Sequence, residues 1–270
     1  MINKKNFFVK LSPILCSAAL FAIPSVSSGA GTMSVGTGFD FSSGEYGGTT
    51  TSDTTTVPVN FKYQTDVLAL KLNVPYISIS NEEESGETIT ESGLGDIVAA
   101  ATYPLYEGSE EQSLYPMIDL TGKIKFPTAD EEKGLGNGVT DYSIESDFTW
   151  FSGQTALFCT LGYKFMGDPE TYELNDVMYA SVGVARQLSS RFSSGLLYDV
   201  REASTDAGTA TSEATAYGSY KMNDSFKFLL YGVKGFSDAS ADYGLGFTVT
   251  YSMDPTDIDW LEPVRRIKNL

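Results

Sequence analysis

Lys123 and Lys125 stand two residues apart, with Asp119 in the same phase before them. After one loop, Asp141, Glu145 and Asp147 again share a single parity. A strand turns successive side chains to opposite faces, so each set of charges falls on one face. The other face is apolar: Leu114, Ile118, Leu120, Ile124 and Phe126 on the first segment, Tyr142, Ile144, Phe148 and Trp150 on the second. Lys62, Lys71, Asp96, Lys164, Asp199 and Arg201 take the polar phase of their own segments. Lysines and carboxylates meeting across a ladder can do two things. They can set up a transverse field that selects passing solutes, or they can pair into a salt-bridged plug. These twelve charges are the candidate functional residues, and Lys123 and Lys125 are expected near Asp141 and Glu145.

What is missing narrows the chemistry. The chain contains no histidine, which excludes Ser-His-Asp and Cys-His catalysis, His-ligated metals and haem. No nucleophile motif or metal cluster replaces it, so neither an enzyme nor a cofactor is expected. Gly134–Gly138 lies between two strands with no helix after it, which argues against a phosphate loop. Glu82–Glu84 and Asp130–Glu132 lack Ca²⁺-ligand spacing and read as solvated acidic loops. Cys159 lies on the apolar phase with Leu157 and Leu161, as an inert thiol.

The elements that carry these residues are strands throughout. Alternation recurs near residues 33–43, 54–64, 67–80, 93–106, 113–126, 140–151, 154–166, 176–188, 191–202, 211–222, 225–236 and 241–253. The last is the clearest, with Tyr243, Leu245, Phe247, Val249 and Tyr251 on one face. Residues 225–236 are apolar in both phases and cannot be oriented from sequence. The connections alternate between loose and tight. Ser43–Asp53, Asn81–Ser92, Pro127–Val139, Gly167–Asn175 and Ala203–Ala210 are loose. Thr65-Asp66, Glu107–Gln112, Ser152-Gly153, Ser189-Ser190 and Asn223-Asp224 are tight. The expectation is an all-β chain: a transmembrane antiparallel up-and-down β-barrel of about twelve strands, its tight turns and both termini in the periplasm. A charge aimed at lipid near the midplane costs roughly 2–4 kcal/mol, so the charged phase must face the lumen. Aromatics at strand ends, among them Phe39, Tyr103, Trp150, Phe165 and Tyr251, suit interfacial girdles.

Residues 1–30 read as a signal peptide, with Lys4, Lys5 and Lys10 before an apolar run and Ser28-Gly29-Ala30 at the cleavage point. Residues 31–253 form the barrel. Residues 254–270 are a periplasmic tail broken by Pro255 and Pro263. The full chain has a formal charge of −17; taking away three lysines and no acids leaves −20. That balance disfavours nucleic acid as a partner. The expected partners are outer-membrane lipid, a small-molecule solute and the barrel-assembly machinery. The expected location is the bacterial outer membrane.

Three landmarks carry a family resemblance: Gly93-Leu94-Gly95-Asp96; Lys123-Ile124-Lys125-Phe126-Pro127-Thr128 followed by Gly134–Gly138 and Asp141-Tyr142; and Leu161-Gly162-Tyr163. Their order and spacing resemble the outer-membrane transporters of the MetA-pathway of phenol degradation family. Ala129 departs from that pattern, where a glycine is usual, and so does the C-terminal tail. The resemblance implies an outer-membrane channel or uptake role and supplies no residue roles. Three functions compete. The first is a passive channel for small solutes. The second is uptake of hydrophobic or aromatic compounds, with Tyr115 and Tyr217 expected to point inward. The third is a structural or surface-interaction barrel with a plugged, salt-bridged lumen.

Overall fold

A computed structural model describes residues 31–83, 85–107, 115–170 and 172–253. The expected signal peptide, the C-terminal tail and most of the Glu107–Gln112 turn lie outside these residues. All regular structure in the described residues is strand: β1 Thr32–Gly44, β2 Ser52–Gln64, β3 Ala69–Glu82, β4 Thr88–Leu94, β5 Ile97–Tyr106, β6 Met117–Phe126, β7 Asp141–Ser152, β8 Thr155–Phe165, β9 Val177–Gln187, β10 Phe192–Arg201, β11 Thr211–Lys221, β12 Phe226–Gly235 and β13 Tyr243–Ser252. Each pairs antiparallel with its neighbour, and β1 closes the ring by pairing with both β2 and β13.

The ring has twelve positions because β4 and β5 share one. β4 pairs with the outer part of β3, Tyr76 to Glu82, and β5 with its inner part, Ala69 to Asn73. The strand expected at 93–106 therefore begins earlier, at Thr88, and breaks at Gly95-Asp96. The cause is local. Pro58 and Pro75 face each other on β2 and β3, and a proline has no N–H to give to the next ladder. The carbonyl of Pro75 takes the Gly95 N–H at 2.8 Å instead. A side chain at Gly95 would strike Ile77 and Pro75.

The burial pattern is inverted relative to a soluble fold. Leu157, Leu161, Val182, Leu196 and Leu230 are exposed, while Thr54, Thr56, Asn60, Thr121, Thr160, Thr248 and Thr250 are buried. Apolar groups outside and polar groups inside is the arrangement that a bilayer requires. The ambiguous strand, β12, is oriented by this rule. Leu229 and Tyr231 are buried and Leu230 is exposed, so both its faces are apolar because it lines an apolar part of the interior. Tyr115 is corrected: it precedes β6 and is 60% exposed, so it does not point inward.

Side-chain acceptors close the tight turns. Thr65 Oγ1 accepts from the Leu68 N–H at 3.1 Å, Ser189 Oγ from Phe192 at 3.0 Å and Asn223 Oδ1 from Phe226 at 2.8 Å. These are short polar side chains imitating a backbone turn. Gly153 supplies the left-handed residue (φ 57°) between β7 and β8.

Candidate functional site

Register decides which charges meet. Lys125 lies directly opposite Asp141, and their side chains are 2.9 Å apart. Lys125 also reaches Asp96 at 3.1 Å, Lys164 reaches Asp141 at 3.0 Å, and Lys123 reaches Glu145 at 2.8 Å. Both ion pairs anticipated across the β6–β7 ladder are thus present, joined into a larger knot by Asp96 and Lys164. The Asp141 side chain is 1% exposed and also accepts the Gly167 N–H at 3.1 Å. Buried charges need this degree of compensation.

The knot holds loop 127–140 against the wall break. Thr128 Oγ1 accepts from the Ile97 N–H at 2.9 Å and donates to the Gly95 carbonyl at 2.8 Å. The Ala129 N–H donates to Asp96 at 3.1 Å. Lys125 donates to Asn137 Oδ1, and Leu135 and Asn137 are buried. Thr128 and the Ala129 amide therefore satisfy polar groups at the break between β4 and β5. A second loop, between β8 and β9, shares the space. Tyr172 in that loop has its phenol pKa pushed up, first by burial and then by the negative charges of Glu131 and Asp141.

The remaining candidates fall into rows across the sheet. One row runs Lys62, Lys71, Ala100, Lys123, Ser143, Lys164 through successive strand pairs. Another runs Asp119, Asp147, Thr160, Ser181, Asp199, Glu213. Asp119 and Asp147 are directly opposite, as are Asp199 and Glu213. Thr160 donates to Asp147. Arg201 belongs to a third row, opposite Tyr179 and Thr211. Two of these rows carry charge of one sign each, whereas Lys125 with Asp141, and Glu145 with Arg201, share rows of mixed sign.

The opposite wall is apolar. Ala156, Phe158, Ala185, Leu197, Tyr217, Leu229 and Tyr231 form one buried cluster on β8 to β12. Glycines on adjacent strands seat its rings. Tyr231 lies over Gly246, Tyr217 over Gly195, and Phe158 over Gly183; Tyr179, outside the cluster, lies over Gly162. In each pair the two residues are direct register partners. A Cβ on any of these glycines would come closer than 3.0 Å to the ring, which real Cβ atoms do not tolerate. The rings therefore lie flat along the wall.

Two of these tyrosines extend across their glycine to an acid on the third strand. Tyr231 donates to Asp40, and Tyr179 donates to Glu145 at 3.0 Å. Asp40 is the register partner of Gly246, and Glu145 that of Gly162. Tyr217, the register partner of Tyr231, lies over Gly195 in the same row, and the residue beyond that glycine is Ala185. Tyr217 is 5% exposed and its hydroxyl has no hydrogen-bond partner among the described residues. Leaving a buried donor unsatisfied costs about 1–3 kcal/mol. Periodicity foretold that Tyr217 points inward; the missing acceptor became visible only with the register.

Solved structures share this fold at low identity. An outer membrane channel from Pseudomonas putida F1 is 13% identical, with 86% of this chain and 100% of that chain aligned at a TM-score of 0.71. The translocator domain of the autotransporter NalP from Neisseria meningitidis is 11% identical over 83% of this chain and 89% of its own, at 0.55. The β domain of the Bordetella autotransporter BrkA is 9% identical over 84% of this chain and 100% of its own, at 0.51. No curated protein matches the chain by sequence. The barrel with its lipid-type exterior is an outer-membrane fold. The model of the family described as "Putative MetA-pathway of phenol degradation" matches residues 24–253, and the chain belongs to that family.

Proposed function

We propose that this protein is an outer-membrane channel for small solutes, and that its passengers are hydrophobic or aromatic compounds. The observation that carries the reading is the apolar, ring-lined wall on β8 to β12. A structural barrel filled by salt bridges has no use for such a wall, and neither does a plain aqueous pore. The Pseudomonas putida F1 channel of the same fold supports the reading. Residues 1–30 act as the export signal, and the barrel-assembly machinery inserts the mature chain. The twelve candidate charges line the lumen. The break at Gly95-Asp96, closed by loop 127–140, offers apolar solutes a lateral route beside the axial one.

The knot of Lys125, Asp96, Asp141 and Lys164 favours a second reading, a plugged structural barrel. Single-channel recording in planar bilayers separates the two. Discrete ohmic steps are expected for a channel. Silence from a heat-modifiable, folded barrel that also fails to bind apolar solutes would favour the plug.

A further inference from the structure

The turn end of the interior is positive along one arc. β11, β12, β13, β1, β2 and β3 are successive neighbours in the ring. Lys221 and Lys227 take the inward phase of β11 and β12, in step with the buried Ser219 and Leu229. Lys62 and Lys71 take that of β2 and β3, in step with the buried Asn60 and Asn73. These lysines stand at the ends of their strands nearest the tight turns. Within each couple they are direct register partners, Lys221 with Lys227 and Lys62 with Lys71. Like charges facing each other across a ladder destabilise it. Among the described residues, the inward acids on these strands are Glu213, at the loop end, and Asp40, which accepts from Tyr231. The turns add Asp66 and Asp224, both exposed, and Asp224 lies 2.8 Å from Lys221.

The chain itself carries a counter-charge to this arc. β13 and β1 lie between the two lysine couples. The Met253 N–H donates to the Met33 carbonyl at 2.8 Å, so residue 254 starts at the turn end, in the middle of the arc. Residues 254–262 hold Asp254, Asp257, Asp259 and Glu262 and no lysine or arginine. The basic residues of the tail, Arg265, Arg266 and Lys268, come only after Pro263. The family match stops at residue 253, so the acidic stretch lies beyond the shared barrel. Neighbouring strands are about 4.8 Å apart, which puts Lys227 and Lys62 about 14 Å from each other along the arc. Residues 254–262 reach about 30 Å when extended. We infer that the acidic segment 254–262 docks across the turn-end mouth of the barrel, with its carboxylates among Lys62, Lys71, Lys221 and Lys227. The docking offsets both like-charged couples and narrows the mouth on one side. It does not require that the lumen conducts.

Carbodiimide cross-linking of the full chain, purified from outer membranes into lipid nanodiscs, tests this without a substitution, because it joins only amines and carboxylates in contact. Peptide mass spectrometry on a mixture of isotope-labelled and unlabelled protein separates bonds within one chain from bonds between chains. The exposed Lys221–Asp224 pair is the internal standard. Bonds within one chain, from Lys62, Lys71 or Lys227 to Asp254, Asp257, Asp259 or Glu262, are expected at a yield comparable to the standard. The standard alone would overturn the docking and leave the mouth to solutes or lipid headgroups. Tail bonds found only between chains would overturn it in favour of a second copy. In planar bilayers, a chain ending at Met253 should shift its zero-current potential in a salt gradient toward anions, since the acids of 254–262 no longer offset the lysines. An unmoved potential in a conducting barrel would overturn that compensation. Silence from both forms would count against the channel reading alone, with the cross-links still deciding the docking.

Discussion

The two walls of this barrel are built on opposite principles. On β5 to β8, polar side chains are tied to one another: Lys125 to Asp96 and Asp141, Lys164 to Asp141, Lys123 to Glu145. Each charge there is tolerable only because a neighbour compensates it, so the wall stands or falls as a network. On β8 to β12, large rings are accommodated because their partners are small: Gly183, Gly195 and Gly246 give up their side chains to Phe158, Tyr217 and Tyr231. That wall depends on shape, and a single added methyl group disturbs it. The charged wall holds loop 127–140 in place, and the apolar wall gathers its rings into one buried cluster.

If this contrast holds, damage to the two walls should differ in kind. The largest effect is expected from Asp141→Asn, which leaves Lys125 and Lys164 short of a buried partner. Breaking such a pair costs on the order of 3 kcal/mol, read as a lower midpoint of heat-modified migration or of urea unfolding in lipid. A midpoint within error of wild type would show that the knot is wet and weakly coupled. Next comes Gly246→Ala, whose Cβ would meet the Tyr231 ring and Asp40. Overpacking of this kind costs about 2 kcal/mol. The double variant with Tyr231→Ala should recover much of the loss, and simple additivity in that cycle would deny the seat. Thinning a row of like charge is expected to be milder. Lys62→Gln with Lys71→Gln thins the lysine row and should move the zero-current potential in a salt gradient toward cation selectivity; an unmoved potential would take that row out of the permeation path. The smallest effect belongs to the exposed turn between β11 and β12. The Asp224 carboxyl is held below its usual pKa by the hydrogen bond from Lys221 at 2.8 Å. A depressed acid stabilises above its unfolded pKa and loses that contribution as pH falls through the folded one. Asp224 is fully exposed and screened, so acid titration of Asp224→Asn should match wild type.

The candidate site was legible in part. The ion pairs of Lys123 and Lys125 with the acids of β7 could be anticipated, because those strands are joined by one loop and must be neighbours. The glycine seats were not legible. Gly195 and Tyr217, or Gly246 and Tyr231, stand on different strands, and only ladder register makes them partners. The split of the fourth wall strand was hidden for a similar reason. The break lies where Pro75 on β3 has no N–H to give and its carbonyl takes the Gly95 N–H.

What the sequence determined by itself was of period two: most strand positions and which face of most strands meets lipid. These are local properties, since each side chain's face follows from its own parity. Tertiary structure alone decided the orientation of β12, the rows in which the charges meet, and the residue that lies beyond Gly195. Those depend on how far each strand is shifted against its neighbours and on closure of the ring, and a one-residue slip would have made every pairing different.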